Sequence, residues 1–168
     1  MTSGVSFSAD DIRRILRLEP LPQEGGFFRE TYRSVERVRS AAGDERAAST
    51  AIYYLLSPGN FSALHRLPGD EVFHFYLGDT IEMFQLHPGG SSETVLIGSD
   101  LAEGAHPQVV VSGGVWQGCR LCEGGRFALL GTTMSPGFDR RDFELGDRAT
   151  LIAAFPADRE RIIEFTHA

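Results

Sequence analysis

The chain has 168 residues, 42% hydrophobic and 23% charged, which fits one globular domain with its own core. A net charge of −7 without a basic run suits neither nucleic acid nor an anionic membrane as partner, and no stretch approaches the roughly 18 apolar residues of a membrane-crossing helix. All sixteen basic residues are arginine, which removes lysine Schiff-base chemistry and a phosphate-cradling P-loop from consideration.

The opening "MTSGVSFSADDIRRIL" lacks the charged and apolar regions of a signal peptide, so the expected compartment is cytoplasmic. "FSADDIRRILRLEP" predicts a helix over about residues 8–18. Ser8 caps it, Asp11 closes a capping box, Ile12, Ile15 and Leu16 form one apolar stripe, and Pro20 and Pro22 end it. From about residue 25 to 145 the pattern becomes short aromatic and β-branched runs between glycine and proline turns. Strands are expected near 27–34, 49–56, 61–66, 71–77, 80–86, 94–97, 108–112, 115–121, 126–134 and 141–145. So many short, regularly spaced strands without helix alternation predict an all-β sandwich or barrel. Residues 36–48, "ERVRSAAGDERAA", are polar and pattern-free and read as a surface loop, with a mobile loop near the pocket mouth as the second reading. The tail, about 146–166, reads as short helical segments split by Pro156, and the whole, 1–168, as a single domain.

Cys119 and Cys122 form a Cys-x-x-Cys, but no second pair exists to complete a zinc site. They sit in a strand pattern, where residues three apart face opposite sides, so two ordinary thiols are expected.

The densest chemistry lies in "SALHRLPGDEVFHFYLGD", which holds His65, Glu71 and His74. On a regular strand Glu71, Phe73, Phe75 and Leu77 share one face, while Val72, His74 and Tyr76 share the other. If Glu71 faces inward, His74 faces out unless a bulge after Glu71 shifts the register. A histidine near a carboxylate in a partly dry pocket suits general acid–base work.

The spacing from Gly59 through His65, Leu67 and Glu71 to Gly78 resembles the first signature motif of the cupin superfamily. "SGGVWQG" resembles the second, with Gln117 at the usual histidine. The stretches "LPQEGGFFRETYRS", "STAIYYLL", "DEVFHFYLGD", "PQVVVSGGVWQG" and "TTMSPGFDRRDFEL" are similar to a branch of small bacterial and fungal cupins without an assigned function. The resemblance implies a double-stranded β-helix, or jelly roll, usually a homodimer. It also implies a metal held by two histidines, a glutamate and a later histidine. Here Leu67 replaces one histidine and Gln117 another, leaving His65, Glu71 and Gln117 as the metal-ligand candidates.

Three functional readings stand. In the first, a metal-independent sugar or sugar-nucleotide isomerase or epimerase uses His65 and Glu71 as an acid–base pair, as metal-free deoxysugar epimerases of similar fold do. In the second, a metal-dependent oxygenase or isomerase holds iron, manganese, nickel or zinc. In the third, a non-catalytic module binds a small molecule. Arg29, Tyr53, Phe73, His74, Gln117 and Arg120 are the candidate ligand-binding residues, and Asp139 or Asp142 is placed at the pocket mouth. An aromatic outer face, with His74 on it, is expected to form the homodimer interface.

Overall fold

The computed structural model describes residues 7–167. The N-terminal helix α1, Ala9–Leu16, has the expected capping box: the Asp11 amide donates to Ser8 Oγ and the Ser8 amide to Asp11 Oδ2, each at 3.1 Å. It ends at Arg17, which enters the left-handed region (φ 54°) before either proline. Buried Ile12 seats the helix against Leu18, Leu55, Phe127 and Leu129.

The strands are β1 (Glu19–Pro20), β2 (Phe27–Arg33), β3 (Arg37–Arg39), β4 (Glu45–Ala47), β5 (Thr50–Leu56), β6 (Ser62–Arg66) and β7 (Glu71–Gly78). They continue with β8 (Ile81–Leu86), β9 (Ser92–Ile97), β10 (Gln108–Val111), β11 (Trp116–Leu121), β12 (Ala128–Met134) and β13 (Glu144–Leu145). Two short helices, α2 (Arg148–Ala154) and α3 (Arg159–Glu164), flank Pro156. One sheet runs β1-β2-β5-β12-β7-β10 and the other β13-β6-β11-β8-β9, antiparallel within each. This is the all-β jelly roll with short terminal helices that the sequence implied.

Residues 36–48 depart from the reading as a surface loop. They carry the hairpin β3–β4, and Arg46 within it is buried. Arg46 Nε and Nη2 donate to the Asp142 carboxylate at 2.9 and 2.7 Å. A charged pair nearly a hundred residues apart leaves no periodicity in either segment, so the pattern alone reads as solvated.

The barrel is filled at one end and open at the other. At the filled end Tyr54, Leu56, Ile81, Met83, Val111 and Leu130 interdigitate between the sheets. Burial of each such side chain stabilises the fold by about 1.5–3 kcal/mol. α2 and α3 cover the second sheet's outer face through Leu151, Ile162 and Phe165 against Leu64 and Phe84.

Candidate functional site

The open end is a cavity of about 390 Å³. Its walls are largely apolar, from Leu21, Phe28, Ile52, Leu67, Phe73 and Met134, and Phe138 and Phe143 from the segment before β13 also line it. His65, Glu71, Glu24 and Thr132 bring one set of polar groups, and Thr50 with the charged Glu30, Arg33, Asp139 and Arg140 adds another.

His65 is brought inside by a bulge. Gln117 pairs with His65 and Cys119 with Ser62, so three steps on β6 oppose two on β11. The extra residue turns β6 locally, a device common beside functional sites. His65 Nδ1 then lies 2.8 Å from the carbonyl of Ala63. A carbonyl only accepts, so Nδ1 carries the hydrogen, and in the neutral ring Nε2 keeps its lone pair. Phe143 stacks on the ring with centroids 5.2 Å apart.

Glu71 opens β7 opposite Met134 of β12 and is buried. Gln117 Nε2 donates to its Oε2 at 2.6 Å. Burial raises the Glu71 carboxyl above its ordinary pKa, and the charge of Glu24 pushes the same way. The hydrogen bonds of Thr132 and Gln117, and His65 when it is protonated, pull it back only in part. Gln117 Oε1 is buried without a hydrogen-bond partner among the described residues.

Glu24 is the site residue that sequence reasoning missed. It sits in a turn with positive φ at Gln23 (69°), Gly25 (106°) and Gly26 (72°). Ser62 Oγ donates to Glu24 Oε1 at 2.8 Å, and Tyr54 Oη donates to the Gly25 carbonyl at 2.9 Å. A Cβ on Gly25 would lie within van der Waals contact of the Phe61 carbonyl oxygen, at 2.2 Å, so only glycine fits. The signal was the "EGG" within "LPQEGGFFRETYRS": two glycines fixing a glutamate.

The structure brings His65, Glu71, Phe73 and Gln117 together and leaves four candidates elsewhere. The β7 register is regular from Glu71 to Phe75, with its irregularity beyond, so His74 stays on the outer face. There it meets Thr133 and Gln108 and stacks on Tyr76. Tyr53 packs edge-on to Tyr76, and Arg29 lies over the Tyr53 ring, both away from the cavity. Arg120 is held by Glu82 and Glu164 beside Phe165, on the covered face of the second sheet. Regular alternation explains all four: strand arginines and aromatics found partners outside the barrel as readily as inside. At the mouth, Asp139 lines the cavity while Asp142 is taken by Arg46. Cys119 is buried in the core and Cys122 half-buried, both free, and burial raises both thiols.

The residues do not fit a cupin metal centre. The second histidine position is Leu67, a buried wall residue. The fourth position, Gln117, turns its amide nitrogen to Glu71. Among the described residues no cluster of three or more His, Cys, Asp or Glu side chains is arranged to hold an ion.

A face-to-face antiparallel jelly roll with a polar cluster on its inner wall defines the cupin class. The family model described as cupin superfamily (DUF985) matches residues 10–146, and the chain belongs to that family. A hypothetical protein from Leishmania major is 30% identical with a TM-score of 0.91, covering 96% of this chain and 100% of that one. A protein from Shewanella oneidensis is 34% identical with a TM-score of 0.88, covering 96% and 99%. Oxalate decarboxylase from Bacillus subtilis shares the fold alone, at 17% identity and a TM-score of 0.54, over 98% of this chain and 40% of its own. No curated protein matches the sequence.

Proposed function

We propose that this cupin is an isomerase- or epimerase-like enzyme that moves a proton on a small molecule without a metal, with His65 as base and Glu71 as acid. The observation that carries the reading is the bond from His65 Nδ1 to the Ala63 carbonyl, which leaves the Nε2 lone pair for a ligand in the cavity. Glu71 complements it, because a carboxyl with a raised pKa keeps its proton to higher pH and can donate it.

The chemistry balances. His65 Nε2 takes a proton from the carbon beside a carbonyl, and the C–H electron pair becomes a C=C bond. The carbonyl oxygen receives the Glu71 proton, giving an enol. After the enol turns its other face to His65, the imidazolium returns its proton to that carbon and the enol O–H returns its proton to Glu71, which yields the epimer and restores both residues. Where the carbon carries a hydroxyl, proton delivery to the former carbonyl carbon with loss of that hydroxyl's proton to Glu71 yields the isomer. Gln117 and Thr132 are positioning residues that hold the Glu71 carboxyl. A sugar or sugar-nucleotide substrate is the version that the resemblance implies. The exposed Tyr32, Tyr76 and Val110 on the outer face support a homodimer, which we propose pairs through that face. Sedimentation of the wild type and a Tyr76→Glu variant tests it: a dimer that the variant converts to monomer is expected, and a monomeric wild type ends the proposal.

The enzyme reading is tested by incubation in D2O with small aldehydes and ketones, read by proton NMR. Deuterium should enter beside the carbonyl, and His65→Ala should slow it at least about 100-fold. Exchange unchanged in that variant would sink the reading. So would near-stoichiometric metal in untagged protein that disappears in the His65→Ala/Glu71→Ala double variant.

A further inference from the structure

Resting on that proton-transfer reading, we propose that the substrate is an uncharged, mostly apolar ketone or aldehyde whose carbonyl lies at His65 and Glu71, rather than a polyol or a small carboxylate. Three observations carry this.

First, the walls offer a polar substrate little. Leu21, Phe28, Ile52, Phe73, Met134 and Phe138 line much of the cavity, and hydroxyls ranged along them would lose water without gaining partners; Glu30, Arg33 and Arg140, which also line it, are exposed. Second, no cation stands at the polar cluster to meet a carboxylate: Arg140, the cavity-lining arginine without a carboxylate partner among the described residues, is exposed at the mouth. Arg33 gives Nε and Nη2 to Glu30 and Nη1 to the Phe138 carbonyl. Arg140 donates to the Gln23 side chain, and the chain has no lysine. An anion at the polar cluster would face Glu24 and Glu71 with no counter-charge.

Third, the neighbouring donors are spent. The Tyr54 hydroxyl serves Gly25, the Ser62 hydroxyl serves Glu24, and the Gln117 amide serves Glu71. Within the His65–Glu71 cluster the remaining donor is the Glu71 proton, which matches a single carbonyl acceptor. An ammonium group would ionise Glu71 and remove the proton that the step needs. The size agrees: a benzene ring fills an apolar cavity of about 150 Å³, so 390 Å³ admits a ring with a side chain.

The test is a matched set of probes, acetophenone, benzoate and benzylamine, titrated by NMR against the full chain near pH 6.5. Acetophenone should bind at least tenfold more tightly than either charged probe. The infrared stretch of carbonyl-labelled acetophenone should move to lower wavenumber on binding, and Glu71→Ala should abolish that move. If Glu71→Ala fails to fold, Glu71→Gln, a weaker N–H donor, must show a smaller move. Equal or tighter binding of a charged probe, or an unmoved stretch, overturns the substrate class. Either result alongside His65-dependent deuterium exchange would leave the proton-transfer reading standing. Bound ketone with a shifted stretch but no exchange would do the reverse, and no binding by any probe would overturn the substrate class alone.

Discussion

Arg46 and Glu71 are both charged side chains more than nine-tenths buried, at 4% and 8% exposure, and they are treated in opposite ways. Arg46 is fully answered: Nε and Nη2 reach the Asp142 carboxylate and Nη1 reaches the Glu45 carbonyl. Glu71 has neutral hydrogen-bond partners, a second carboxylate in Glu24 within electrostatic reach, and no arginine. The first arrangement spends its charge on architecture, tying the β3–β4 hairpin to the segment that carries Phe138 and Phe143 over the cavity. The second leaves its charge unanswered beside an empty volume, which is how a proton-handling group is kept reactive.

The comparison is broken most severely at Arg46. Arg46→Ala leaves the Asp142 carboxylate without its partner, and the melting temperature should fall by about 5–10 °C. Arg46→Met/Asp142→Leu should recover most of that, because removing both charges removes the unmet one. A loss no greater than that of Arg141→Ala, on the exposed Arg141–Asp139 pair, would show that the Arg46 pair is not structural.

Gly25→Ala comes next. It forces a left-handed backbone on a residue with a side chain and drives that side chain at the Phe61 carbonyl. The expected cost is about 1–3 kcal/mol, measured by urea unfolding. Because Glu24 rides on this turn, the Glu71 carboxyl should titrate closer to its ordinary range in the variant. A shift of the Glu71 titration, followed by carbon NMR of the carboxyl, checks the coupling independently of stability.

Glu71→Gln sharpens the contrast through pH. The folded-state pKa of Glu71 is raised above the unfolded value. Below the unfolded value both states are protonated and the residue costs nothing. As pH rises the unfolded state ionises first, so stability falls from there up to the raised folded pKa and is level above it. Glu71→Gln should therefore leave the melting temperature unchanged at low pH and raise it by a few degrees at pH 8. A variant less stable than the wild type at pH 8 would mean that Glu71 is a satisfied charge like Arg46.

Most strands and the helix cap were legible, because alternation, turn residues and the Ser8–Asp11 spacing are local signals. The pairing of His65 with Glu71 was legible from motif spacing. The bulge beside His65 was not, because it lies in how β6 registers against β11; the bulge weighed from the sequence was one after Glu71 that would have turned His74 inward, and the register there is regular. Glu24 escaped because its role comes from a turn folded across the barrel mouth onto Ser62. Arg29 and Arg120 were misplaced for the converse reason: an arginine among apolar strand residues signals a partner, and Tyr53 in one case and Glu82 with Glu164 in the other supply it outside the cavity.

The smallest effect is expected at the second histidine. His65 and His74 sit on consecutive strands, β6 and β7, in opposite sheets; one ring lines the cavity and the other lies half-buried on the outer face beside Tyr76 and Thr133. His74→Ala removes two long hydrogen bonds and a stacked contact on a partly wet surface, so it should cost no more than about 1 kcal/mol. Acetophenone affinity and deuterium exchange should both stay within twofold of the wild type. The same substitution at His65 should abolish exchange, so the pair of variants asks which face of β7 and β6 does chemistry. A His74→Ala protein that loses exchange while keeping its fold would move the active face to the outside of the sheet, and the cavity argument with it.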